Sequence, residues 1–166
     1  LEQSDLPAAY LELEVPERAL AAPGSAALEA LEHAYRSGIG IAIGGFVAAD
    51  APLRALTQIP VAKLKLHRSL VADLPDDTHA RMVVDAVLAI GRTLGVAVCA
   101  EGVERPAQAA YLEGRQCPVV QGWHYGRALD ADQFLARLKG TGVDTVRLPL
   151  MDVEELEAHA RAAGVV

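Results

Sequence analysis

Apolar and polar positions change period repeatedly along this chain, and each change marks an element. Tyr10-Leu11-Glu12-Leu13-Glu14-Val15 alternates at period two, the spacing of a half-buried strand. From Ser25 to Ser37, residues Ala27, Leu28, Leu31, Ala34 and Tyr35 recur at helical spacing, and Gly38 sits where a helix stop belongs. Ile39 to Ile43 reads as the next strand, Pro52 to Gln58 as a short helix, and Val61 to Leu66 as a third strand. Thr78 to Leu94 makes a long amphipathic helix ended by Gly95, followed by a strand over Val96 to Ala100. Pro106 opens a helix to about Glu113, as a first-turn proline does. Pro118 to Gln121 is a short strand, and Asp130-Ala131-Asp132-Gln133 has capping-box form at the start of a helix reaching Lys139. Thr145 to Leu148 adds a further strand and Met151 to Ala163 an acidic terminal helix.

Strands separated by helices of this length imply parallel βα units and an α/β fold. About five units are present, short of the eight of a closed barrel. The expected architecture is therefore an incomplete TIM-barrel-like parallel sheet over residues 1–139. A C-terminal strand/helix appendage over 140–166 follows the Gly140-Thr141-Gly142 linker and is placed to cover a sheet edge. Uncovered parallel edges invite pairing, so a protein partner or a homodimer through those edges is expected.

A chain of 166 residues fits one domain and can bury a real core. With 52% hydrophobic residues and only 4% aromatics, that core is aliphatic. A net charge of −7 with no Lys/Arg block argues against a nucleic-acid partner, but leaves room for a small anion in a local basic pocket. No apolar run approaches the roughly 20 residues of a membrane span, so no membrane insertion is expected. Cys99 and Cys117 lack metal-pair spacing; a buried thiol at Cys99 and a cytoplasmic location are expected. Leu1-Glu2-Gln3-Ser4-Asp5 shows neither an initiator Met nor a signal-peptide pattern, which suggests a fragment of a longer protein.

Parallel α/β barrels build active sites at the C-terminal ends of their strands. The residues there are Glu14 and Glu17, then Gly44 and Gly45, Lys65 and His67, Glu101 and Glu104, and Gln121. Two-metal hydrolysis of a phosphodiester needs several carboxylates on hard cations and a base for water. Glu14 and Glu101 are candidate ligands, and Lys65 a candidate holder of a water or a phosphate oxygen. Glycine at 44 and 45 supplies nothing. Plainer roles compete: His67 as a hydrogen-bonded surface residue, Glu104 as an acceptor for backbone N–H groups, Trp123 as core filler or cover of the barrel mouth.

Leu13-Glu14-Val15-Pro16-Glu17, Lys65-Leu66-His67-Arg68-Ser69, Ala100-Glu101-Gly102-Val103-Glu104 and Gln121-Gly122-Trp123 resemble successive motifs of the EAL domain family, in order and spacing, over roughly residues 1–139. The resemblance implies a modified TIM barrel. Active members use Mg²⁺ or Mn²⁺ to hydrolyse cyclic di-GMP to linear pGpG. By position, Glu14 matches a metal-binding glutamate, Lys65 the lysine at the catalytic water, and Glu101 the acid of the metal site. Glu104 matches the glutamate that steadies a neighbouring loop, and Gln121 the active-site glutamine. The departures are larger. The family's Asp-Asp-Phe-Gly is Gly44-Gly45-Phe46-Val47 here, the loop after it is Ala48-Ala49-Asp50-Ala51-Pro52, and His67 stands where the family has aspartate. The strands bearing the Glu-Ala-Leu signature and a metal-binding asparagine would lie upstream of Leu1.

The expected function is a catalytically inactive EAL-like domain serving as a regulatory or protein-interaction module in bacterial cyclic di-GMP-type signalling. Lys65, Glu101 and Gln121 are then vestigial catalytic residues, and Glu14 and Glu101 vestigial metal ligands. No cofactor is expected, with Mg²⁺ or Mn²⁺ only if the site works. The alternative is a non-hydrolytic cyclic di-GMP receptor gripping its ligand through Lys65, Glu101, Glu104 and Gln121. A third reading, part of an active phosphodiesterase, has to do without both central aspartates.

Overall fold

The computed structural model of the chain describes residues 7–20, 24–47, 56 and 59–140. Five strands, β1 (Glu12–Pro16), β2 (Gly40–Phe46), β3 (Lys63–Leu66), β4 (Ala97–Glu101) and β5 (Val119–Gln121), lie side by side in chain order, each neighbouring pair parallel. Helix α1 (Ser25–Arg36) joins β1 to β2, α2 (Arg68–Ala72) and α3 (Thr78–Leu94) join β3 to β4, and α4 (Pro106–Gly114) joins β4 to β5; α5 (Ala131–Gly140) follows. Sequential parallel strands with helical crossovers are the build of a βα barrel. Among the described residues β1 and β5 are the outer strands.

Pairing in register sorts the side chains into two faces. One carries Ile41 and Ile43 of β2, Leu64 and Leu66 of β3, and Val98 and Ala100 of β4, all buried. Against this face α3 sets Val84, Val87 and Leu88, and α4 sets Leu112. Each such Leu, Ile or Val contributes roughly 1.5–3 kcal/mol through burial. Phe46 is the one aromatic in this buried core among the described residues, as the composition required. The opposite face is polar and holds the residues of interest.

Local signals hold the helices. The Asp77 carboxylate accepts the Ala80 N–H at 2.6 Å to start α3, and Gly95 ends it at φ 68°. Before α5, Asp130 and Gln133 cap each other's backbone N–H, as their spacing predicts.

Some boundaries differ from expectation. After Pro7, residues Ala8–Tyr10 close a 3₁₀ turn, so β1 starts at Glu12 rather than Tyr10. Strand β2 runs on through Gly44 and Gly45, because a register shift between Ile43 and Phe46 absorbs them and buries Phe46. Gly140, expected in a linker, closes α5. The 3₁₀ turn Glu17–Leu20 and helix α2 carry too few residues for a period to register. Of the expected helix Pro52 to Gln58 only Leu56 is described, and it is buried. The expected strand Thr145 to Leu148, helix Met151 to Ala163 and the appendage beyond Gly140 lie outside the described residues. No helix among the described residues is long and apolar enough to cross a membrane.

Candidate functional site

The polar face of the sheet is set by register. Reading across, β1 supplies Glu12 and Glu14, β2 supplies Gly40, Ala42 and Gly44, β3 supplies Lys63 and Lys65, β4 supplies Ala97, Cys99 and Glu101, and β5 ends in Gln121. Acids and bases thus stand on β1 and β3, with only small residues between them on β2. The side chains meet over the gap. Lys63 Nζ bonds Glu12 Oε2 at 2.5 Å; one step toward the strand ends, Lys65 Nζ bonds Glu14 Oε2 and also Glu101 Oε1, the latter at 2.8 Å.

Lys65 is the centre of this triad. Burial works against its charge, but the hydrogen bonds it donates to Glu101 and Glu14 outweigh burial and lift its pKa above the ordinary lysine value. The ammonium therefore stays charged at neutral pH, held between the two carboxylates. Cys99, beneath Glu101, is a buried thiol as expected; burial first, then the Glu101 charge, pushes it up to about 11.

The remaining candidates go elsewhere. Gln121 pairs in register with Glu101, and its side chain is exposed on the outer strand. His67 accepts the Ser69 N–H at 3.2 Å and bonds Ser69 Oγ at 2.8 Å, capping α2, which is the plain role weighed for it. Trp123 is not core: it is exposed, with the Arg127 guanidinium stacked over its ring. Glu104 is exposed at the rim of a cavity of about 430 Å³ lined by His67, Arg68, Gly102, Arg105 and Gln108.

Glu17 and Gln108 take structural roles that the sequence pattern does not assign them. Glu17 is buried and accepts the Val47 N–H at 2.8 Å, tying the turn after β1 to the end of β2. Gln108 is buried; its Oε1 accepts from Glu104 N and Arg105 N, and its Nε2 donates to Val71 and Ala72 carbonyls. Its place three residues after Arg105, in the first turn of the helix that Pro106 opens, is the available signal. For Glu12 and Lys63 the signal was the opposed Glu-Leu-Glu and Lys-Leu-Lys alternation.

The EAL domain family model matches residues 1–128. The chain belongs to the EAL domain family. It is 36% identical over 127 residues to the bifunctional diguanylate cyclase/cyclic di-GMP phosphodiesterase MucR of Pseudomonas aeruginosa, covering 76% of this chain and 18% of MucR. It is also 36% identical over 129 residues to the cyclic di-GMP phosphodiesterase NbdA of the same organism, covering 78% of this chain and 16% of NbdA. A solved structure of the PaMucR phosphodiesterase in complex with c-di-GMP shares 34% identity at a TM-score of 0.76, covering 81% of this chain and 54% of that one. The chain spans less than a fifth of the length of these two curated relatives.

An EAL domain raises the question of a divalent metal, and the donor set answers it for the described residues. They contain no group of three or more His, Cys, Asp or Glu side chains placed to hold a metal ion. Hard divalent cations take about six oxygen ligands. Here two carboxylates converge, and both are already bonded to a permanent cation. The described residues alone do not fit such an ion.

Proposed function

We propose that this EAL domain is catalytically inactive and works in the cytoplasm as a regulatory or protein-interaction module of cyclic di-GMP-type signalling. The observation that carries the reading is the end of β2. Gly44 and Gly45 bring no oxygen ligand, and the carboxylates on either side, Glu14 and Glu101, are turned onto Lys65 rather than toward open space. Loss of one positioned charged group costs orders of magnitude in rate, so loss of two ligands leaves little to catalyse with. The aliphatic core and helix caps, in contrast, are intact. Exposed Leu11 and Leu13 flank the outer edge of β1, and Trp123 and Tyr125 are exposed just past β5. Backbone edges and apolar side chains of this kind suit a protein partner or a second copy adding to the sheet.

A receptor reading has its own support in the cavity beside the β3 and β4 ends. Arg68 and Arg105 line it and match phosphate oxygens in charge. The Arg105 guanidinium, however, is already bonded to Asp76 and to the Ala72 and Leu74 carbonyls, which leaves Arg68 as the main cation.

Calorimetry with cyclic di-GMP, with and without Mn²⁺, separates the readings when pGpG is followed by chromatography. The interaction module gives neither heat nor product. Heat without product makes the domain a receptor, and product contradicts both readings.

A further inference from the structure

We propose that Gly44 lets the chain carry its own cation at this site: lacking a side chain, it allows Glu14 to cross β2 and reach Lys65, which then holds Glu14 and Glu101 without an external metal ion. This deepens the reading of an inactive domain and rests on it.

The argument begins with distance. Neighbouring strands lie about 4.8 Å apart, so β1 and β3 are separated by roughly 10 Å with β2 between them. A glutamate and a lysine span that gap only if no β2 side chain stands in the path between them. On this face β2 offers Gly40, Ala42 and Gly44, and ion pairs cross it twice, Glu12 with Lys63 and Glu14 with Lys65. The two glycines are not equivalent. A methyl at Gly40 would make ordinary contacts, 3.6 Å from Leu11 O and 3.9 Å from Glu12 Cγ. A methyl at Gly44 would fall inside the Glu14 side chain, 2.6 Å from both its Cγ and its Cδ. The obstacle is the flexible Glu14 itself, so the side chain would swing away while the backbone stays.

Charge completes the case. Lys65 has 14% of its side chain exposed and Glu101 24%, so their attraction is screened less than that of a surface pair. A divalent ion entering here has to displace the ammonium or sit against its positive charge. Glycine at position 44 thus does more than withhold a ligand: it leaves open the path by which Lys65 neutralises Glu14 and Glu101.

The test is a double-mutant cycle on the whole chain, read by urea midpoint. Gly44→Ala and Glu14→Gln should each lower the midpoint, and the double variant should lie no lower than the worse single one, since both break the same bond. Gly40→Ala should leave the midpoint unchanged. Lys65→Met, which frees two carboxylates, should melt higher on adding millimolar Mn²⁺, while the wild type should not respond. Additive losses in the cycle overturn the proposal, as does a wild-type melting shift with Mn²⁺ equal to that of Lys65→Met. If Lys65→Met does not fold, the cycle alone decides. Hydrolysis of cyclic di-GMP by the wild type would instead overturn the inactive reading, a result the cycle cannot produce.

Discussion

Gln108 shows how a single side chain can hold two loops. Its amide is 2% exposed and meets four backbone groups, two N–H and two C=O, from the β4–α4 connection and the end of α2. Gln108→Leu keeps the volume and strands those groups, at an expected cost of about 2–3 kcal/mol. A urea midpoint corresponding to a loss below about 0.5 kcal/mol would contradict that accounting. Cys99 makes a second residue-scale prediction. With the thiol pushed up to about 11, mainly by burial, almost no thiolate exists at neutral pH. Alkylation by iodoacetamide should be far slower at Cys99 in the native chain than in urea; equal rates would mean that β4 opens readily.

At the scale of elements, close approach outweighs propensity. Gly91 lies inside α3, where replacing it with alanine would ordinarily gain about 1 kcal/mol. Its Cβ would sit 2.5 Å from Val98 Cγ2 and 2.8 Å from Val96 O, and overpacking of that kind costs about 1–3 kcal/mol. Gly91→Ala should therefore lower the melting temperature, and a rise would mean that α3 stands further off β4. What was legible in the sequence divides along the same line. The long helix α3 with its Gly95 stop, and the Asp130–Gln133 cap, are encoded within a few neighbouring residues, so pattern and chemistry agree. Helix α2 is shorter than two helical turns and hides from any period. The passage of Gly44 and Gly45 through β2 depends on a bulge, and the burial of Glu17 on where residue 47 arrives in space. The triad was half legible: Glu14, Lys65 and Glu101 were singled out by position at strand ends. That they bond one another follows only from strand order and register, which pairs residues 51 and 36 positions apart.

For the whole molecule, the chain has the parallel-sheet frame of its EAL relatives. It has five parallel strands, an aliphatic helix-facing core and a polar opposite face, and on that face β2 carries only Gly40, Ala42 and Gly44 between the charges of β1 and β3. The function proposed for it is a shift from chemistry to contact. The most direct test of that shift is single-turnover incubation of excess protein with cyclic di-GMP and Mn²⁺, with pGpG quantified by chromatography. The proposed reading predicts no pGpG above a protein-free control; pGpG accumulating with protein concentration would contradict it.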